Sequence, residues 1–333
     1  MGIEQHFVEN KRVLVMGGNG LIGRGVVHLL AKNNEVHVMA RFSKPEFERE
    51  LSQKCEKLWK VDASEPGSLK SIPKDFDVVI NQVVQWGIEE PFDWPTFYKL
   101  LKANCFVPGR VMEHFGDSGA KLIFGSTGGV YRASKDRNDL NREGVTGLQG
   151  GDHPYDDTKL PGEAIVHYFS AEHGTPAVIL RYYWPACPYR TGRPPDGGRA
   201  GRTCRAWMAG KPTVVSKRRP WYHNIGYMAD LAYATAAAAN RVASPPATYN
   251  VTGSEIVTCR EVDQVVADEL GIEPIWVEAD EERDMPLYLA DTELMARDLW
   301  KPRFGMQAAV RNIVRAHKWG IREVQDWMYE LPQ

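Results

Sequence analysis

The sequence lacks the closely spaced cysteines and histidines that bind metals. Its nine histidines show no HExxH spacing, and no CxxC pair occurs among its five cysteines, which are Cys55, Cys105, Cys187, Cys204 and Cys259. A disulfide framework or a zinc site would need closer, paired spacing. We therefore expect reduced thiols, no metal and a cytoplasmic location.

Long apolar runs and excess charge are also lacking. No stretch approaches the ~18 apolar residues that span a bilayer, and residues 1–12 have no hydrophobic signal core. The net charge is only −2 over 333 residues, and the densest basic stretch is the short segment 216–223. We therefore expect neither a membrane nor a nucleic acid as partner.

The first half of the chain alternates strand and helix patterns. Short apolar runs predict buried strands at 12–17, 35–40, 57–63, 76–84, 120–126 and 176–183. Apolar residues at helical spacing predict helices at 21–33, 96–115 and 159–174, the second kinked by Pro108 and Gly109. The alternation predicts an α/β fold, a Rossmann-type doubly wound parallel sheet with right-handed crossovers.

The pattern changes after Trp184. Residues 185–202 are dense in Pro, Gly and Arg, too irregular for a core element, and regular patterns then predict a strand at 248–253 and helices at 228–242, 260–271 and 308–320. We predict a dinucleotide-binding domain over 1–184, to which 222–252 returns. A smaller C-terminal α/β substrate-binding region is predicted from 185–221 and 253–333.

A glycine-rich turn, MGGNGLIG at 16–23, joins the first predicted strand to the first helix. A tight turn, close approach to a pyrophosphate and close helix packing each exclude a side chain at Gly17, Gly20 and Gly23. The helix N-terminus behind them offers free N–H groups to phosphates. Between a strand and a helix, the motif predicts dinucleotide binding by Gly17, Gly18, Asn19, Gly20, Leu21, Ile22 and Gly23.

The end of the second strand should identify the dinucleotide. An acidic residue there would accept hydrogen bonds from the ribose of NAD, but the chain has Arg41, followed by Ser43 and Lys44. Because a guanidinium binds a phosphate in a bidentate manner, these residues favour NADP, with NAD as the alternative. Asp62 follows the third strand, where its carboxylate could accept a hydrogen bond from the adenine amino group or could simply cap the loop. The remaining predicted cofactor contacts are Ala63, Val83 and Tyr182.

Tyr155 and Lys159 stand four residues apart, on one face of a helix. A tyrosine, whose ordinary pKa is about 10, is a poor acid or base at neutral pH unless its phenolate is stabilised. An ammonium one turn away and an oxidised nicotinamide both stabilise it. The pair therefore predicts proton transfer at Tyr155.

Together these motifs resemble the extended short-chain dehydrogenases/reductases, the family that includes the sugar-nucleotide epimerases and dehydratases. The resemblance runs over nearly the whole chain, through GGNGLIG, VDAS at 61–64, DVVINQVV at 77–84, FGSTGGVY at 124–131, YDDTK at 155–159, VILRYYWP at 178–185 and MADLAYA at 228–234.

The resemblance implies a role for several residues. Tyr155 would be the catalytic acid/base, and Lys159 would orient the ribose and lower the tyrosine pKa. Thr127 would hydrogen-bond the reacting oxygen beside Ser126, and Asn104 would be the structural member of the proton relay. It also implies a homodimer formed through helices 96–115 and 159–173.

The chain departs from the family at its substrate side. Dehydrating relatives carry an acidic pair after the threonine, where this chain has Gly128 and Gly129, so elimination is disfavoured and hydride transfer remains. Trp184 and His223 replace an asparagine and an arginine that contact a diphosphate, with Arg219 as a substitute donor. The predicted substrate contacts are Gln85, Trp86, Ser126, Thr127, Gly128, Trp184 and His223.

Three functions follow as hypotheses. The first is an NADP(H)-dependent oxidoreductase that moves a hydride to or from a carbonyl/alcohol carbon of a sugar-like or natural-product molecule, with Tyr155 as acid/base. The second is a nucleotide-sugar epimerase with tightly bound NAD. The third is a non-catalytic NADP sensor, which would need no proton relay.

Overall fold

Thirteen strands and ten α-helices are seen in a computed structural model that describes residues 7–87, 93–150, 153–189, 198–216, 220–279 and 287–331. The strands are β1 (Arg12–Met16), β2 (Glu35–Ala40), β3 (Lys57–Lys60), β4 (Val78–Asn81), β5 (Lys121–Thr127), β6 (Ala177–Tyr182), β7 (Pro185–Ala186), β8 (Thr213–Ser216), β9 (Tyr222–Asn224), β10 (Gly226–Tyr227), β11 (Ala247–Val251), β12 (Ile256–Thr258) and β13 (Trp276–Ala279). The α-helices are α1 (Leu21–Leu30), α2 (Pro45–Ser52), α3 (Trp94–Leu101), α4 (Val107–Phe115), α5 (Pro154–His173), α6 (Gly198–Met208), α7 (Met228–Ala238), α8 (Cys259–Leu270), α9 (Glu293–Asp298) and α10 (Met306–Lys318).

Seven strands form the central sheet, in the order β3-β2-β1-β4-β5-β6-β11, and every pair is parallel. Alternate residues of β1 face opposite layers: Val13 and Val15 pack with α1, α7 and α10, whereas Leu14 and Met16 pack with α4 and α5. Because both faces are covered, the strands are continuous apolar runs. The predicted Rossmann-type doubly wound sheet is confirmed.

The predicted helix 96–115 is interrupted, but not where Pro108 and Gly109 suggested. A π-helical turn, Lys102–Phe106, joins α3 to α4, and the Val107 N–H bonds the Lys102 carbonyl. The prolyl ring then falls in the first turn of α4, where the missing N–H costs little. The irregularity therefore lies one turn earlier than predicted.

Two other boundaries differ from the sequence-based prediction. Helix α5 begins at Pro154 rather than at residue 159, because the His153 ring accepts the Tyr155 N–H at 3.2 Å and caps the helix. Helix α6 begins inside the stretch 185–202 that was expected to be irregular. Arg199 and Thr203 anchor it to the buried Asp263 of α8.

Three two-stranded sheets lie outside the central sheet: β7 with β10, β9 with β12, and β8 with β13. No helix in the described ranges is long and apolar enough to cross a bilayer. The division into a dinucleotide-binding domain and a substrate-binding region stays a prediction.

Candidate active site

The glycine turn lies between β1 and α1 and has no room for side chains. Gly17 has φ +73°, and a Cβ on it would lie 2.6 Å from the carbonyl oxygen of Gln82. A Cβ on Gly23 would lie 2.5 Å from the Gly17 carbonyl oxygen, so the helix could not approach the turn. Gly20 caps α1 without a side-chain hydrogen bond, and no acidic residue stands in the first turn. The N–H groups and positive end of α1 fit a pyrophosphate.

Arg41 and Asp62 meet at the rim beside β2. The exposed guanidinium of Arg41 lies 3.9 Å from the Asp62 carboxylate, and Lys44 lies above the Phe47 ring. Partial burial raises the pKa of Asp62, but hydrogen bonds from Ser64 and the charge of Arg41 outweigh it and hold that pKa below its ordinary value. The Asp62 carboxylate beside the Arg41 guanidinium would repel a phosphate on the ribose. It therefore weakens the preference for NADP that Arg41 predicts.

Tyr182 and Val83 form the wall behind the glycine turn. The Tyr182 hydroxyl accepts from Gln82 Nε2 at 2.8 Å and shares a second 2.8 Å hydrogen bond with Thr235. The Val83 N–H donates to Asn81 Oδ1 at 3.1 Å. Both residues lie at carboxyl ends of central strands, as the predicted cofactor contacts require, but the Tyr182 hydroxyl is already engaged within the protein.

Asn104 lies in the π-helical turn and is fully buried. Its side chain accepts from the Gln85 N–H at 3.0 Å and donates to the Gln85 carbonyl at 2.8 Å. It also donates to Thr158 Oγ1 of α5 at 3.0 Å. Asn104 therefore joins the segment after β4 to the helix that carries Tyr155, and its part in a proton relay stays a prediction.

Thr127 ends β5 with its hydroxyl beside α5. It donates to Asp156 Oδ1 at 3.2 Å and accepts from the Gly129 N–H at 3.1 Å. The two following glycines are sterically required: a Cβ on Gly128 would lie 2.3 Å from the Tyr183 ring, and one on Gly129 would lie 2.2 Å from Asp156 Cγ. Gly128 therefore provides only backbone atoms at this position, and the Tyr183 ring occupies the space where a side chain would be.

Tyr155 and Lys159 lie in the first two turns of α5. Burial, with the charge of Asp156 added, raises the pKa of Tyr155 above its ordinary value, so the phenol is protonated at neutral pH. The buried Lys159 ammonium donates to the Gly125 carbonyl at 2.8 Å. Burial lowers the pKa of Lys159 to about 7, although Glu163 acts in the opposite direction.

Ser126 is turned toward a buried ion pair. Its hydroxyl donates to Glu163, which also binds the Arg181 guanidinium at 2.6 and 3.0 Å. This hydroxyl is used within the protein, because β5, α5 and β6 meet at Glu163. Hydrogen bonds of Thr127 and Lys159 therefore join β5 to α5, the helix that carries Tyr155, and Asn104 joins α5 to the segment after β4. Ser126 instead donates to Glu163, and the roles of these residues stay predictions.

Gln85 and Trp86 follow β4 on the side of Tyr155. Trp86 is 53% exposed and stacks on His153 at a centroid distance of 6.3 Å. The His153 ring is edge-on to Tyr155 at 6.4 Å. The His153 ring therefore contacts both Trp86 and Tyr155, and the contact of Trp86 with a substrate stays a prediction. His153 was not among the predicted site residues, because no sequence pattern indicates a contact with the distant Trp86.

Trp184 and His223 form an aromatic cluster with Trp221. The Trp184 ring meets Trp221 edge-on at 4.8 Å, and Trp221 stacks on His223 at 5.1 Å. Burial, with the charges of Arg199 and Arg202, lowers the pKa of His223 to about 4, so its imidazole is neutral at neutral pH. Among the residues that the structure describes, none forms a hydrogen bond with the buried Trp221 Nε1 and His223 Nδ1 atoms. Arg219 lies outside the described residues.

The model of the NAD dependent epimerase/dehydratase family matches residues 13–252. The chain belongs to this family. Protein YtbQ of Bacillus subtilis (strain 168), which is described as uncharacterized, is 29% identical over 181 residues, covering 51% of this chain and 66% of YtbQ. The match thus spans just under two thirds of that relative.

Solved structures of this fold cover nearly the whole chain. UDP-glucuronic acid 4-epimerase from Bacillus cereus, in complex with UDP-glucuronic acid and NAD, has a TM-score of 0.80 at 20% identity, over 92% of this chain and 99% of its own. UDP-N-acetylglucosamine 4-epimerase from Methanobrevibacter ruminantium M1 has a TM-score of 0.81 at 21% identity, over 94% and 100%. The UDP-glucose 4-epimerase of Thermus thermophilus, complexed with NAD, has a TM-score of 0.78 at 24% identity, over 93% and 100%.

Family membership and this fold identify an enzyme of the extended short-chain dehydrogenase/reductase type, either an oxidoreductase or an epimerase, that uses a nicotinamide dinucleotide. The preference for NADP expected from Arg41 gains no support from these neighbours, since those named with a cofactor contain NAD. Among the described residues, no three His, Cys, Asp or Glu side chains are grouped to hold a metal ion.

Proposed function

We propose that this family member moves a hydride to or from an alcohol/carbonyl carbon of a sugar-like small molecule, with Tyr155 as the acid/base. The observation that supports this proposal is that the hydrogen bonds of Thr127 and Lys159 join the carboxyl end of β5 to the first two turns of α5, the helix that carries Tyr155. When bound, the dinucleotide supplies or accepts the hydride. Tyr155 exchanges a proton with the substrate oxygen, and the Lys159 ammonium stabilises the phenolate.

Replacing Tyr155 by Phe tests this assignment. Turnover should fall by at least ~100-fold, the lower range for losing a general acid/base, while dinucleotide affinity changes little. Nicotinamide fluorescence measures the affinity, and product chromatography measures turnover on a panel of sugars and sugar nucleotides. Tyr168→Phe, on the exposed side of α5, is the matched control. Full activity of Tyr155→Phe would rule out Tyr155 as the acid, whereas a non-catalytic sensor would show no turnover in either protein.

Epimerisation with retained NAD is the version of this function that the similarity to the epimerases favours. Net oxidation or reduction with NADP is supported by Arg41, Ser43 and Lys44 alone. Mass spectrometry of the dinucleotide released on denaturation separates the two. Stoichiometric NAD supports epimerisation. An empty site that binds NADPH much more tightly than NADH, and loses that preference in Arg41→Ala, supports the NADP-dependent oxidoreductase.

For the substrate, we propose a molecule whose non-reacting part is an uncharged ring rather than a nucleoside diphosphate. The ring of Trp184 and the buried, neutral imidazole of His223 lie at the two positions where the family resemblance places an asparagine and an arginine, so neither position carries a charged donor for a diphosphate. Aromatic faces suit stacking on a ring. Tryptophan fluorescence should detect aryl glycosides but not UDP or UDP-glucose. UDP binding by the native protein would contradict the proposal.

A further inference from the structure

Asp156 occupies the space that a side chain at position 129 would fill. A Cβ built on Gly129 would lie 2.2 Å from both Cγ and Oδ1 of Asp156. Asp156 belongs to the first turn of α5 and is only 8% exposed. A carboxyl group therefore stands beside Thr127, although the two residues that follow Thr127 have no side chains.

The hydrogen bonds of Thr127 determine what its hydroxyl can offer. A threonine hydroxyl has one proton and two lone pairs. The proton is donated to Asp156 Oδ1 at 3.2 Å, and one lone pair accepts the Gly129 N–H at 3.1 Å. No other described residue donates to the hydroxyl, so its second lone pair can accept a hydrogen bond from a ligand. In this arrangement Thr127 meets a substrate oxygen as a hydrogen-bond acceptor, not as a donor.

We propose that Asp156 is a positioning residue of the reaction centre. Its carboxylate takes the place of a side chain at Gly129 and holds the Thr127 proton, so that Thr127 accepts a hydrogen bond from the substrate and Tyr155 is the group that donates one. This inference rests on the proposed function. It also specifies the ligand further: Thr127 accepts from a hydroxyl of the bound substrate other than the reacting oxygen, because the reacting oxygen exchanges its proton with Tyr155 and is a carbonyl, which cannot donate a hydrogen bond, on one side of the reaction.

The charges around Tyr155 agree with this division of roles. Asp156 is the adjacent residue, and its charge adds to burial in keeping the phenol protonated. The His153 ring lies 6.4 Å from the Tyr155 ring, and burial lowers the pKa of this imidazole, so it is neutral at neutral pH. Lys159 is one turn away, with its ammonium on the Gly125 carbonyl. Asp156 is therefore the negative charge that acts on the phenol.

Titration of Tyr155 by ¹³C NMR at the tyrosine Cζ tests the role of Asp156. The signal is assigned by its loss in Tyr155→Phe, and spectra are recorded with and without NAD. Asp156→Asn keeps an oxygen that accepts from Thr127 but removes the charge. We expect the Tyr155 midpoint to fall by about one pH unit, a roughly tenfold change in the acid dissociation constant. Asp157→Asn, a neighbouring exposed carboxylate, is the matched control and should leave the midpoint unchanged.

The second test moves the carboxylate from position 156 to position 129. Asp156→Gly alone should lower the Tyr155 midpoint, and the double variant Asp156→Gly with Gly129→Asp should restore it, because the new side chain enters the vacated space. An unchanged midpoint in Asp156→Asn, an equal shift in Asp157→Asn, or no rescue in the swap would each overturn the proposal. If NAD shifts the Tyr155 midpoint in neither the native protein nor the variants, that result would instead count against the proposed function.

Discussion

Buried His223 makes the folded protein sensitive to acid at the scale of a single residue. The pKa of its imidazole is about 4 in the folded protein, lowered by burial and then by Arg199 and Arg202, against about 6.5 in an unfolded chain. Between these values the unfolded chain binds more protons. The contribution of His223 is therefore fully present above pH 6.5 and is lost as the pH falls toward 4.

We expect His223→Gln to reduce the loss of unfolding free energy at low pH. Urea unfolding at pH 7 and pH 4 should give a smaller loss of unfolding free energy in the variant than in the native protein, by up to about 3 kcal/mol. The exposed His167 provides the control, since His167→Gln should keep the native difference. If all three proteins lose the same unfolding free energy between pH 7 and pH 4, His223 is accessible to protons in the folded state.

At the scale of elements, Glu50 of α2 binds groups of both α1 and the C-terminal segment. Its buried carboxylate pairs with the buried Arg24 guanidinium of α1 and accepts the Val324 N–H at 3.0 Å. Lys54 donates to the Val324 carbonyl at 2.9 Å, and Arg24 donates to the Arg322 carbonyl at 2.8 Å. One carboxylate thus joins α1, α2 and the chain beyond α10.

Glu50→Gln should therefore destabilise the protein by about 3–5 kcal/mol, the cost of leaving a buried charge without its partner. Glu48→Gln removes an exposed ion pair with Lys60, 2.8 Å long, and should cost less than about 1 kcal/mol. Urea unfolding measures both, and limited proteolysis should cut Glu50→Gln first near residues 322–331. A loss no larger than that of Glu48→Gln would show that packing alone holds the segment.

At the scale of the whole molecule, sequence patterns predicted the sheet better than the surroundings of the site. Parallel strands covered on both faces are continuous apolar runs, so all seven strands of the central sheet were found. Strands of two or three residues, such as β7 and β9, are too short to carry a periodic pattern. Asp156 stood inside a recognised motif, but its contact with Gly129 joins distant residues and no local pattern indicates it.

The predicted homodimer concerns the helices that flank one face of the sheet. Large side chains are exposed on three mutually packed elements: Tyr98 of α3 at 47%, Phe106 of the π-helical turn at 38% and Tyr168 of α5 at 62%. Exposed rings on neighbouring elements are typical of an interaction surface. We expect the native protein to have twice the mass of one chain in solution, as the family resemblance implies for these helices.

Tyr168→Glu should convert that dimer to a monomer, because the interface would bury an unpaired charge. Size-exclusion chromatography with light scattering measures the mass, and circular dichroism checks that the variant folds. Val145→Glu, at a 78% exposed side chain in the loop before α5, is the matched control and should remain dimeric. A monomeric native protein, or a dimer that tolerates Tyr168→Glu as well as Val145→Glu, would exclude an interface at Tyr168.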